Sequence, residues 1–139
     1  MAGAPGAHGM REIAAYPIRS ALEARVSDLD GYGHLNGIRI GLFYEDARAR
    51  SYGPLCRATR LVVAQFTMRY LAEGTWPGTL AIGSGVSRIG RTSFVLSQGL
   101  FQQGACIGLA ETVLVRSDGA GALPLGDDLV EELRAIAIP

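Results

Sequence analysis

The chain has 139 residues, enough for one domain and too few for two with separate cores. At 48% apolar and 19% charged, with a formal net charge of zero, it is neither disordered nor collagen-like, nor is its main task binding nucleic-acid phosphates. No apolar run reaches the ~18–20 residues of a membrane span, and MAGAPGAHGMRE lacks an apolar signal core. The expectation is a cytoplasmic protein with no membrane and no nucleic-acid partner.

Residues 1–13 read as a flexible Gly/Ala/Pro tail carrying His8, and 14–139 as a single domain. Tyr16 to Val26 alternates, with Ile18, Ser20, Leu22, Ala24 and Val26 on one side and Arg19, Glu23 and Arg25 on the other. That period of two predicts a strand with one wet face. The polar loop SDLDGYGH follows, where Gly31 and Gly33 permit backbone conformations closed to other residues. Asn36 is placed to cap a helix over Gly37 to Ser51, which the Gly53-Pro54 pair is expected to end.

On a wheel at 100° per residue, Arg39, Asp46 and Arg50 form one narrow stripe, with Asp46 four residues before Arg50 in the favourable pairing order. Apolar residues flank the stripe on both sides, so the helix needs covering on more than one face. Glu45 falls between Ile38 and Tyr52 on an apolar arc. Four strand-like runs come next: Leu61 to Leu71, Leu80 to Arg88, Thr92 to Phe101 and Ala105 to Val115. Short Gly-containing turns at Gly74 to Gly78, Ile89-Gly90-Arg91 and Gln102-Gln103-Gly104 join the four runs and predict that consecutive strands are antiparallel neighbours. Asp127 to Ile136 closes the chain as a short amphipathic helix with Asp127 as its cap. Cys56 and Cys106 form no CxxC motif and have no His at ligand spacing, so both are expected as free core thiols.

The order is strand, long helix, four antiparallel strands, short helix. One sheet covers only part of such a helix, so layer logic calls for a second subunit. This α+β order, with SDLDGYGHLN leading into the helix, resembles the hotdog-fold acyl-CoA thioesterases of the 4-hydroxybenzoyl-CoA thioesterase-like branch. The resemblance covers residues 14 to 117. It is carried by Asp28-x-Asp30 followed by Gly33-His34-x-Asn36, and by Phe43 to Arg48 in the helix. Pro77-Gly78-Thr79 and Arg88 to Ser93 add to it. It implies one antiparallel sheet of about five strands wrapped around a central helix, with sheets paired in a homodimer or a dimer of dimers. It also implies an acyl-CoA substrate, with coenzyme A lying across the subunit interface and no separate cofactor or metal.

Carried over residue by residue, the resemblance makes Asp30 the catalytic carboxylate and the backbone N–H near Gly37 the donor that polarises the thioester carbonyl. The chain departs from the family pattern at Gly37, where a second asparagine or another polar residue is common, and at Ile40, where an aromatic is common. Elementary chemistry agrees with the assignment, because a helix N-terminus offers unpaired N–H groups and partial positive charge to an oxyanion. Asp30 either activates water or attacks to give a mixed anhydride. Read without the resemblance, Asp30 is first a loop cap.

Asp28 is expected to hold the loop. His34 bonds substrate or Asp30, or orders the loop, and Asn36 caps the helix and so fixes the oxyanion donors. Glu45 is a second candidate acid, since a carboxylate buried unpaired is a mark of functional sites. Arg88, Arg91 and Arg60 suit phosphate binding, Ser93 a place near the pantetheine arm, and Trp76 an acyl or nucleotide site or a subunit contact. The rival readings are an acyl carrier protein thioesterase or dehydratase on the same fold, and a non-catalytic hotdog domain that binds acyl-CoA or assembles partners.

Overall fold

The computed structural model describes residues 9–56 and 59–139. Five strands, β1 (Ile18–Glu23), β2 (Leu61–Tyr70), β3 (Thr79–Ile89), β4 (Ser93–Gln102) and β5 (Ala105–Arg116), form one antiparallel sheet in the order β1-β3-β4-β5-β2. The tight connections at Gly90 and at Gln103-Gly104 make hairpins as expected, but β2 and β3 are not neighbours. The turn through Gly74 to Gly78 carries the chain across the sheet, and β2 pairs with β5 at the edge while β3 lies between β1 and β4. Gly90 N–H donates to the Ser93 carbonyl at 2.7 Å, and Gln103 (φ 52°) and Gly104 (φ 79°) take the left-handed conformation that a two-residue hairpin turn demands.

Helix α1 (Gly37–Cys56) lies across one face of the sheet and α2 (Asp127–Ala135) follows β5. Ile40, Tyr44 and Ala47 of α1 pack on Leu80, Ile82, Leu100, Ile107 and Ala110. Beyond them, Tyr52 joins Val86, Phe94, Leu96 and Leu114 under Leu129 and Leu133 of α2. The period of 3.6 on α1 thus meets the period of two on the strands along one seam. The opposite face of β3 and β4 is closed by the segment before β1. Tyr16 lies against Gly83 and Gly99 and stands edge-on to Phe101, with centroids 6.1 Å apart. Its hydroxyl donates to the Met10 carbonyl at 2.7 Å, so residues 9–15, read from sequence mostly as tail, form 3₁₀ turns on the sheet. His8 lies outside the described residues.

Three further expectations are corrected. Helix α1 continues through Gly53-Pro54 to Cys56; a proline in the last turn removes only one bond of the helical ladder. Gly126, not Asp127, is the cap of α2, and Asp127 and Asp128 occupy its first turn, where the helix dipole favours acids. Glu45 is exposed rather than buried on an apolar arc, because Ile38 and Leu42 beside it are themselves 78% and 47% exposed. That outer face of α1 and the edge strand β2, with Val62, Val63, Phe66 and Tyr70 open, are uncovered in the single chain. Cys106 is half-buried, its thiol donates to the Gly108 carbonyl at 3.3 Å, and burial pushes its pKa up; the Cys56 side chain lies outside what is described.

Candidate active site

The loop between β1 and α1 is built by backbone bonds that its own aspartates organise. Asp30 Oδ1 accepts the N–H groups of Tyr32 (2.8 Å) and His34 (3.0 Å), and Asp30 N–H donates to the His34 carbonyl at 2.8 Å. Gly33, at φ 81°, supplies the left-handed residue that lets the chain fold back in this short space. These bonds, the one from His34 first and then that from Tyr32, hold the Asp30 carboxyl below the usual carboxylate range, so it is an anion at neutral pH. One carboxylate oxygen is anchored; among the described residues the other has no partner.

Asp28 is a different kind of residue. It is almost fully buried, and its Oδ2 accepts the Arg25 N–H at 2.8 Å while its carbonyl accepts the Asn36 N–H at 2.8 Å. It lines a cavity of about 270 Å³ between β1 and α1, whereas Asp30 lines one of about 570 Å³ at the start of α1. The two aspartates of the motif therefore face different spaces.

Asn36 caps α1 with its side chain, as its Oδ1 accepts the N–H groups of Ile38 (2.9 Å) and Arg39 (3.4 Å). The cap consumes the second and third donors of the helix, and the fourth, Ile40 N–H, reaches the Asn36 carbonyl at 3.0 Å. Among the described residues Gly37 N–H has no hydrogen-bond partner, and Gly37 lines the larger cavity with Asp30, His34 and Asn36. The residues that carry one unpartnered amide, backed by the helix dipole, and one unpartnered carboxylate oxygen thus line the same cavity.

Two cavity residues escaped the sequence reading. Tyr70, at the end of β2, lays its hydroxyl over the first turn of α1 and donates to the Gly37 carbonyl at 3.2 Å. A methyl group on Gly37 would come within 2.9 Å of that hydroxyl, so the missing side chain makes room for the phenol. Glu73 meets His34, with Oε2 2.9 Å from Nε2. Both contacts join segments more than thirty residues apart, which local spacing does not reveal.

The remaining candidates lie elsewhere within the chain. Glu45 does not line the cavity. Arg88 and Arg91, at the far end of β3 from the loop, and Ser93, at the start of β4, are on the order of 30 Å from Thr79 at the usual rise of a strand. Arg60 precedes β2 at the end opposite Tyr70, and Trp76 is 45% exposed in the turn before β3. Among the described residues no three His, Cys, Asp or Glu side chains cluster as a metal site. No described helix is long and apolar enough to cross a membrane.

A five-stranded antiparallel sheet wrapped on one long helix, with a polar loop and a free amide at the helix start, defines a hotdog-type domain. The family model of the thioesterase superfamily matches residues 32–105, just over half of the chain, and the chain belongs to that superfamily. Asp28 and Asp30 lie just ahead of the matched segment. Among solved structures, a thioesterase from Thermus thermophilus complexed with coenzyme A and Zn is similar at 26% identity. The match covers 88% of this chain and 95% of that one, with a TM-score of 0.80. A predicted thioesterase from Bacillus stearothermophilus is 23% identical over 86% and 96% of the two chains, TM-score 0.80. The DHNA-CoA thioesterase of Staphylococcus aureus shares the fold at 17% identity, covering 84% and 87%, TM-score 0.71. A search of curated proteins finds no match.

Proposed function

We propose that this protein hydrolyses an acyl-CoA thioester to a carboxylic acid and free coenzyme A. The observation that carries the proposal is the pairing, on one cavity, of the free Asp30 carboxylate oxygen with the unpartnered Gly37 N–H. With the thioester carbonyl oxygen on Gly37 N–H, the carbonyl is polarised and the oxyanion that develops meets a donor already in place. Asp30 then takes a proton from the attacking water or attacks the carbonyl itself. The anchored Oδ1 keeps the carboxylate from rotating away from the reacting carbon.

The substrate's coenzyme A is assigned to a homodimer interface. The cavity opens beside Tyr70 on the free edge β2, and pairing β2 antiparallel with a second copy would cover Val62, Val63 and Phe66. The two-fold axis of such a pair would bring the partner's strand start, with its Arg60, towards this cavity, and swing the Arg88–Arg91 hairpin to the same end. Those arginines then act on the nucleotide phosphates in trans.

The test is release of free thiol across a panel of aromatic, short and long acyl-CoAs. Turnover on at least one class, lost on Asp30→Asn, supports the reading. Tight acyl-CoA binding with no hydrolysis, indifferent to Asp30→Asn, would instead identify a binding domain.

A further inference from the structure

We infer that Glu73 is a positioning residue for the same reaction, holding His34 as the group that protonates the departing sulfur. The inference rests on the reading of Asp30 as the carboxylate that activates water. His34 is tied on every side. Its N–H and carbonyl both bond Asp30, its backbone bridges Thr75, and Leu35 N–H donates to the Gly74 carbonyl at 2.9 Å. Thr75 is clamped in turn by the buried Gln102, whose Oε1 accepts the Thr75 N–H at 2.9 Å and whose Nε2 donates to the Thr75 carbonyl at 2.8 Å. Glu73 therefore stands next to a rigidly held segment, although its own side chain is 70% exposed.

A histidine–carboxylate contact this exposed adds little to stability, so stability does not explain it. Its effect is on orientation. Glu73 Oε2 takes the Nε2–H of His34, which leaves Nδ1 as the ring nitrogen without a partner among the described residues. His34, Glu73 and Asp30 line one cavity with Gly37, and Tyr70 is the further polar side chain from β2 that borders it.

The step balances without a co-reactant. Asp30 takes a proton from water, the water oxygen bonds to the carbonyl carbon, and the C=O electron pair moves to the oxygen beside Gly37 N–H. On collapse the C–S bond breaks with its pair on sulfur, and the proton that Asp30 took from water passes by way of His34 Nδ1 to that sulfur. The products are the carboxylic acid and the free thiol, and Asp30 and His34 end as they began.

An alkyl thiolate such as that of coenzyme A gains from a proton donor, whereas an aryl thiolate leaves without one. The experiment compares the CoA ester with the thiophenyl ester of the same acyl group for wild type, Glu73→Gln and His34→Ala. Glu73→Gln is expected to lower kcat on the CoA ester by about 10–100-fold, and His34→Ala by at least as much. On the thiophenyl ester both losses should shrink to about threefold or less. An unchanged rate for Glu73→Gln on the CoA ester, or an equal loss on both esters, overturns the inference and leaves the thioesterase reading standing. A wild type inactive on both esters overturns that reading and this inference with it.

Discussion

At the scale of single residues, the site depends on what each aspartate of the motif has left over after building the loop. Asp28 spends Oδ2 on the Arg25 N–H and its carbonyl on Asn36, and its Oδ1 is buried without a hydrogen-bond partner, while Asp30 has its unpartnered oxygen on a residue that lines the same cavity as Gly37. Asp30→Asn retains an acceptor for the Tyr32 and His34 N–H groups but removes the charge. It should lower kcat by about 10²–10⁴-fold with the fold intact, measured as thiol release beside a thermal melt. The pH dependence has a definite sign. The folded loop holds the Asp30 carboxyl below its unfolded value, so its bonds are fully present above the ordinary carboxylate range and lost only as pH falls through the lowered value. The acid limb of kcat/KM should accordingly lie below the usual carboxylate range, and a limb centred near about pH 6 would assign the controlling ionisation to another group. The resemblance singles out Asp30, but spacing alone does not tell that Asp28 has its unpartnered oxygen buried whereas Asp30 lines the larger cavity. Glu73 was not legible at all, because nothing near it in the chain marks it as the partner of His34.

At the scale of elements, the start of α1 does two tasks with one residue. The Asn36 side chain satisfies Ile38 and Arg39, and that leaves Gly37 N–H as the unpartnered donor of a residue that lines the cavity. Asn36→Ala removes the cap and should cost about 1 kcal/mol, read as a fall in Tm. Asn36→Asp separates the two tasks. Aspartate is as good a cap and its charge suits the positive end of the helix, so Tm should hold or rise. The same charge sits beside the developing oxyanion, so kcat should fall by about tenfold or more. Equal activity in the aspartate variant would place the oxyanion away from the helix start. The cap was readable because N-capping is local chemistry, and so was the Asp46–Arg50 pair, which stands at 3.1 Å on the exposed face. Arg48 was not. It is buried, donates to Thr112 Oγ1 at 3.0 Å and lies 5.5 Å from the centre of the Phe66 ring. A helical charge looks the same in sequence whether it faces water or a sheet, and only the arrival of β2 and β5 decides.

At the scale of the whole molecule, the chain presents an unfinished surface in the place where its proposed chemistry needs more groups. The sheet is closed at β1, β3 and β4 by α1, α2 and the segment around Tyr16, yet β2 has an open edge and an apolar row that water meets directly. An uncovered strand of this kind pairs readily with another chain. The arginines expected from sequence to bind phosphate lie at the end of their own subunit far from the cavity, and the proposed antiparallel dimer would bring the partner's copies to it. This yields a prediction that a self-sufficient monomer does not make. Asp30→Asn and a combined Arg60→Ala, Arg91→Ala variant should each be nearly inactive at low acyl-CoA concentration. Mixed after subunit exchange at equal concentrations, half of the dimers contain one of each chain. Each such dimer pairs an intact carboxylate with the arginines of its neighbour at one of its two sites. Activity should therefore recover to about a quarter of the wild-type value. If the arginines serve their own subunit, the mixed dimer has no complete site and mixing recovers nothing. Val63→Lys, which puts a charge on the β2 edge, should abolish both the dimer in sedimentation and the recovery on mixing.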